Sequence, residues 1–252
     1  MLKAYSHSLD TAAASSEALE DACQPFGGQA PDAVFTCAGA SKPMFFVEMD
    51  EKDMINGMTN GYWVQAWTAF VSPYSLVVCH GLISQQAAAK KMAKQHRKGA
   101  KIIFVSSTLG YMSFVGWASY APAKHALRGE YPVSVPYRLI NAHPGLADTL
   151  HSEMMLYEVD VHIFFPPTMF TPGFDEENKT KPDIVKKIES GDEGMTADQA
   201  ALALFKGVES GHTHITGDII TRLFRASTRG ASPKNNWFLD GLFDMVAFVS
   251  IQ

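Results

Sequence analysis

Tyr120 and Lys124 stand four residues apart, a spacing that in a helix puts both side chains on one face with the ammonium in reach of the phenol. An unperturbed phenol titrates at about 10 and handles protons poorly at neutral pH, whereas a neighbouring cation favours the phenolate and lowers that value. A solvated Tyr–Lys pair on a helix surface has the same spacing, so the pair needs company to mean more. Ser106 and Ser107 supply it: they directly follow the apolar run Lys101-Ile102-Ile103-Phe104-Val105, and Gly110 opens the turn that leads on to Tyr120. In a parallel α/β sheet ligands bind at the C-terminal ends of strands, where these serines fall. Hydroxyl, phenol and ammonium together suit proton transfer to or from a carbonyl or alcohol oxygen.

The elements that must position them alternate along the chain. The 252 residues, 46% hydrophobic and 19% charged with a mean hydropathy of −0.04, are enough for one α/β domain and exclude a disordered, collagen-like or coiled-coil chain. A net charge of −5 gives no global basic field, so nucleic acid is not an expected partner. Cys23, Cys37 and Cys79 lie far apart, which suits core positions in a reducing compartment rather than a disulfide framework or a zinc ribbon. No signal-peptide pattern opens the sequence and no run of about 18 apolar residues occurs, so neither export nor a full membrane span is expected.

Leu2 to Ser6 reads as a short alternating strand, and Thr11 to Cys23 as a helix. Ala33 to Cys37 reads as a buried strand ending at Ala38-Gly39, and a long helical stretch follows from about Asp50 to Arg97. Lys101 to Val105 is a second buried strand, Tyr120 to Leu127 a helix, and Val159 to Phe165 a third buried strand stopped by Pro166-Pro167. Thr196 and Gln199 fit a capping box before Ala200 to Phe205, Ile215 to Thr221 resembles a final strand, and Trp237 to Ile251 is an apolar tail. That tail suits either an interfacial membrane segment or an edge helix packed on the core or on another subunit. The expectation is an open, parallel, doubly wound sheet covered on both faces.

With these residues in view, the sequence resembles the short-chain dehydrogenase/reductase family, whose Ser…Tyr-x-x-x-Lys set falls on Ser107, Tyr120 and Lys124, with Ser106 as the other candidate serine. The resemblance implies a Rossmann-like fold and a dinucleotide held by Asp10 at the adenine, by Cys37, Ala38 and Gly39 at the turn where the family has Asn-Ala-Gly, and by Pro166, Pro167, Thr168 and Thr171 beside the nicotinamide. Cys37 replaces the family's Asn, and Pro167 its Gly. The stretch Phe165 to Pro182, with Pro-Pro-x-x-x-Thr-Pro-Gly-Phe and Glu177-Asn178-Lys179-Thr180-Lys181-Pro182, is similar to the branch of the family that reduces 3-ketodihydrosphingosine. That likeness implies NADPH as cofactor, a long-chain keto sphingoid base as substrate, peripheral association with the cytosolic face of the endoplasmic reticulum membrane, and a possible homo-oligomer. The family's further Asn on the long helix would fall on Gly61, with Asn60 beside it as a substitute.

The family also begins with a strand, a Gly-rich turn and a helix that receives the pyrophosphate. Gly27-Gly28 and Gly39 fall elsewhere in the pattern, so the chain is expected to be incomplete before the family's third strand. Residues 71–85 and 130–145 interrupt otherwise continuous helical patterns, Pro73 and three prolines between 130 and 145 being hard to place inside a helix. They are expected insertions, and retained introns and genuine surface loops are both open readings. His212 and His214, two apart, read as a solvated loop rather than a metal site, and Phe114, Trp117, Met169 and Phe170 flank the catalytic motifs as candidate walls of an alkyl channel. A chain that binds lipid or partners without a dinucleotide, and a reductase of another lipid or steroid ketone, are the other functional readings.

Overall fold

A computed structural model describes residues 2–69, 88–128, 145–228 and 236–250. The core is a four-stranded parallel sheet of β1 (Ala33–Thr36), β2 (Lys101–Val105), β3 (Asp160–Phe165) and β6 (His214–Thr216), in the spatial order β1-β2-β3-β6. The register runs Ala33 to Lys101 to Asp160 at one end and Phe104 to Ile163 to His214 further along. Side chains alternate between faces as the pleat requires. Ile102, Phe104, Val161, Ile163 and Phe165 point to one side, where α1 (Ala12–Cys23), α4 (Ala88–Lys94), α5 (Ala121–Arg128) and α6 (Leu146–Met154) cover them. Ile103, Phe164 and Ile215 point to the other, under Ala200, Leu204 and Val208 of α9 (Ala197–Glu209). The doubly wound α/β expectation is therefore met, and β2 and β3 form because a strand buried on both faces must be apolar at nearly every position.

The long helical stretch starts at α2 (Glu51–Met58), which Asp50 and Asp53 close with a reciprocal capping box. It passes through a π turn at Thr59–Trp63 into α3 (Val64–Ala69) and, beyond residues outside the description, α4. Buried Gln65 of α3 ties this helix to the sheet. Its amide Nε2 donates to the Val105 carbonyl at 2.7 Å, and its Oε1 accepts from the Val105 amide at 3.0 Å and from the Thr36 hydroxyl at 3.0 Å. One side chain thus fixes the C-terminal ends of β1 and β2 together.

Two expected strands come out differently. Leu2–Ser6 makes no ladder, because an isolated strand has no ladder partner to satisfy its backbone, and the described edge strand β1 pairs only with β2. Ile215–Thr221 is a strand only over His214–Thr216. Asp218 then accepts from the Thr221 amide at 3.0 Å and starts α10 (Ile219–Ser227), a local cap that outcompetes extension of the strand. Both expected insertions lie outside the described residues apart from Gly145, which caps α6, and so does Cys79. After β3, β4 (Met169–Phe170) pairs with β5 (Met195–Thr196), and between them lie α7 (Pro172–Thr180) and α8 (Asp183–Glu189). The chain ends in α11 (Trp237–Ser250), held to α10 by a buried pair between Arg225 and Asp240.

Candidate active site

The segment after β2 turns sharply and sends its two serines in different directions. Ser106 is buried, its hydroxyl donating to the Lys124 carbonyl at 3.2 Å and its amide to the Phe164 carbonyl at 2.7 Å. That hydroxyl is committed to the α5 backbone, which leaves Ser107 as the serine beside Tyr120. Ser107 sits in extended backbone, accepts from the Leu109 amide at 3.2 Å, and hydrogen-bonds Tyr120.

Tyr120 immediately precedes α5, and Lys124 lies one turn on. The Lys124 Nζ stands 5.3 Å from the Tyr120 ring centroid and donates to the Val105 carbonyl at 3.1 Å, the same oxygen that receives Gln65. Gly39 completes the wall. A Cβ there would come within 2.9 Å of the Asn60 carbonyl and 3.9 Å of the Lys124 Nζ, so only the bare backbone lets the β1 turn approach this close. Cys37, exposed at that turn, is near enough for its thiol and the Lys124 charge to influence each other.

Burial governs the electrostatics. Lys124 is pushed down to about 7 by desolvation, against a smaller opposing influence of Cys37, so it holds its proton loosely near neutral pH. Tyr120 is not lowered as the pairing with Lys124 suggested. Burial raises it, the charge of Glu177 raises it further, and the hydrogen bond from Ser107 works in the opposite direction. Tyr120 is therefore a firmly protonated phenol, a donor rather than a standing base.

The cost of Lys124 can be read from its pH dependence. The lysine titrates at an ordinary 10.5 when unfolded and at about 7 when folded, so between those values the unfolded chain binds more protons and this group's penalty shrinks as pH rises. Lys124→Met is expected to raise the thermal midpoint at pH 7 by a few degrees, from about 1–3 kcal/mol of relieved burial. The gain should fade toward pH 10 in melts followed by circular dichroism; a gain that grows with pH would contradict this origin.

A cleft of about 150 Å³ opens beside Tyr120, lined among others by Ser41, Lys42, Asp53, Gly57 and Asn60. The π turn places Asn60 on this cleft and Gly61 against α5, where a Cβ would meet that of Ala123 at 2.6 Å. No side chain fits at position 61, and Asn60 occupies the cleft position.

Two features beside this site are not visible in the sequence. Lys181, its side chain 1% exposed, bridges Glu177 at 2.8 Å and Glu189 at 2.6 Å and lies 5.4 Å from the Trp117 ring centroid. Burial alone would lower Lys181, but the two carboxylates outweigh it and hold its pKa above the ordinary value, while burial pushes Glu189 up. The Ser41 hydroxyl, on the cleft, donates to Glu177. The Trp117 ring lies 5.5 Å from that of Tyr120, tilted at 51°, and its indole N–H has no acceptor among the described residues. Glu177 and Lys181 were legible only as members of a longer signature.

Of the other expected residues, buried Pro166 accepts from the Thr108 amide at 3.0 Å, which holds the post-β3 loop to the post-β2 turn, and Pro167 packs over Gly217. Thr168 donates to Asp192 at 3.2 Å, and Thr171 caps α7. Ala38 stands at the β1 turn with Cys37 and Gly39. Asp10 is not brought to this group: it accepts from Ser8 at 2.6 Å just ahead of α1, since the strand expected to deliver it does not form. Trp117 and Phe114 pack with Tyr120, whereas Met169 joins the α9 side of the core and Phe170 is half exposed, so these four do not line one channel. His214 is no loop residue either. It is buried, its Nε2 donating to the Asp148 carboxylate at 2.8 Å and its Nδ1 accepting from the Tyr111 hydroxyl at 3.0 Å, and no metal-binding cluster occurs among the described residues.

The residues present fit one end of a dinucleotide. The close backbone approach at Gly39, the buried ammonium of Lys124 and the Pro166–Thr168 loop converge at the strand ends, as a nicotinamide ribose requires. Gly27 and Gly28, by contrast, follow the 3-10 turn Gln24–Phe26 that trails α1, with φ of +67° and +74° and nothing within 4 Å of an added Cβ, so they end helical structure and do not open a helix onto a phosphate.

Comparison with known proteins agrees with this geometry. Residues 4–131 match the family model described as short chain dehydrogenase. The chain is 41% identical over 243 residues to a 3-ketodihydrosphingosine reductase of Cryptococcus neoformans, covering 96% of this chain and 63% of that protein. It is 33% identical over 230 residues to one from Aspergillus fumigatus, covering 85% of this chain and 56% of that protein. The chain thus spans less than two thirds of the length of these relatives. Among solved structures, a short-chain dehydrogenase/reductase from Burkholderia phymatum in complex with NAD superposes with a TM-score of 0.60 at 17% identity, covering 90% of this chain and 78% of that one. A short-chain dehydrogenase from Streptomyces avermitilis gives 0.60 at 15% identity, covering 99% and 76%.

Proposed function

From the premise that this chain belongs to the short-chain dehydrogenase family, we propose that it reduces the C3 ketone of 3-ketodihydrosphingosine with NADPH, giving dihydrosphingosine. The observation that carries the reading is the convergence of Ser107, Tyr120 and Lys124 at the end of β2 beside the cleft. When bound, the reduced nicotinamide supplies hydride to the carbonyl carbon. Ser107 hydrogen-bonds the carbonyl oxygen, and Tyr120, protonated at neutral pH, delivers a proton to that oxygen as negative charge develops on it. Lys124, titrating at about 7, is positioned to hold the ribose and to favour the transient phenolate while solvent restores the proton. The substrate class rests on the named relatives and on the Phe165–Pro182 stretch.

The test is incubation of the purified chain with 3-ketodihydrosphingosine and either NADPH or NADH, with dihydrosphingosine measured by mass spectrometry. Product formed faster with NADPH is expected. Equal turnover of a steroid ketone would point to another short-chain reductase, and lipid binding without turnover would support the second reading, a chain that holds the lipid and does not transform it.

The same reading puts the protein on the cytosolic face of the endoplasmic reticulum membrane, where such a substrate resides. No helix among the described residues is long and apolar enough to cross a bilayer, but α11 exposes Trp237, Phe238, Leu242, Met245 and Val246, and neighbouring α10 exposes Ile219 and Ile220. An apolar face of this kind suits burial at the headgroup boundary. Sedimentation with phosphatidylcholine–phosphatidylserine vesicles, lost in Trp237→Ser/Phe238→Ser, is the expected outcome; a homo-oligomer in solution that covers this face and shows no vesicle binding would replace it.

A further inference from the structure

We infer that Glu177 is the anionic contact for the ammonium group of an amino ketone whose carbonyl lies at Tyr120, and so a residue that determines specificity. The inference rests on the proposed substrate class, in which the carbon next to the ketone bears an amine.

Position is the first argument. Glu177 accepts from Ser41, and Ser41 and Tyr120 line the same cleft. The carboxylate's charge is felt at the Tyr120 phenol. Ser41 thus joins Glu177 to the cleft that Tyr120 lines, where the group attached next to the carbonyl would lie.

Charge is the second. Glu177, Lys181 and Glu189 form a tight set in which one cation serves two anions. If all three are ionised the set has a surplus negative charge, in a place where the Lys181 and Glu189 side chains are 1% and 13% exposed. An uncompensated charge of this kind is costly to bury further, and an apolar ketone closing over it would remove its remaining water. A substrate ammonium offsets that cost, so the site favours an amino ketone and disfavours a steroid or simple alkyl ketone by the same interaction.

Binding tests this without depending on turnover. Titration calorimetry at pH 7 would compare a water-soluble short-chain 2-amino-1,3-diol, the reduced headgroup, with the same diol lacking the amine. The wild-type chain is expected to bind the amine at least about tenfold more tightly, equivalent to about 1.4 kcal/mol. Glu177→Gln should bind the two equally, with affinity for the plain diol unchanged, which also reports an intact cleft; Glu177→Asp should recover part of the preference. An amine preference that survives in Glu177→Gln, or a wild type with none, overturns the inference while leaving a ketone reductase standing. Failure of the wild type to bind either diol overturns the amino-ketone reading and this inference with it.

Discussion

Tyr120→Phe is expected to lower kcat/KM for reduction of the keto sphingoid base by about 10²–10⁴-fold, the usual range for a positioned proton donor. Binding of substrate should change little, because the ring stays packed against Trp117 at 5.5 Å and under Lys124. Only the hydroxyl is lost, and with it the bond to Ser107. Since burial raises the phenol, the wild-type rate should not fall through loss of a Tyr120 proton anywhere below about pH 10. A change of rate near pH 7 would instead follow Lys124, and should vanish in Lys124→Met together with most of the activity. Single-turnover measurements separate these effects from product release. Near-normal turnover by the Phe variant would remove Tyr120 from the chemistry.

The second large effect concerns stability. Asp240→Ala strands the buried guanidinium of Arg225, whose Nε and Nη1 already lack partners among the described residues, and is expected to cost about 3–5 kcal/mol in urea unfolding. Asn236, whose amide reaches Asp240 at 3.4 Å and whose side chain accepts from Leu239 at 2.9 Å, would lose part of its anchorage at the start of α11. The double variant Arg225→Met/Asp240→Leu should recover most of that loss, because an apolar pair of similar bulk carries no desolvation penalty. Failure of the double variant to recover would mean that the pair is held by geometry around α10 and α11 that apolar side chains cannot reproduce.

What the sequence revealed and what it hid divides along physical lines. β2 and β3 were legible because burial on both faces leaves an unbroken apolar run, and Tyr120 with Lys124 because helical spacing is independent of context. The strand at Leu2–Ser6 failed because alternation describes a face, and a strand also needs a neighbour. The direction of the Tyr120 shift was hidden because it depends on how deeply the phenol is buried and on Glu177, which comes 57 positions later. Gln65 was hidden too. A glutamine within Val64-Gln65-Ala66-Trp67 looks like the solvated side of a helix, and only the fold shows that it holds two strand ends. His214 misled for the opposite reason, a polar residue read as wet that is in fact satisfied inside the core.

The π turn at Thr59–Trp63 acts as a gear change within one helix. A wider turn adds a residue without adding a full rotation, so the faces presented before and after it no longer follow a single periodicity. Before it, α2 offers Asp53 and Gly57 to the cleft; after it, α3 offers Gln65 to the sheet. The wall of the cleft and the clamp on the strands can thus vary separately, since altering one does not rotate the other. Removing a single residue from the turn would return it to α-helical geometry with little rotation of either half, because the wide turn has already absorbed the extra residue.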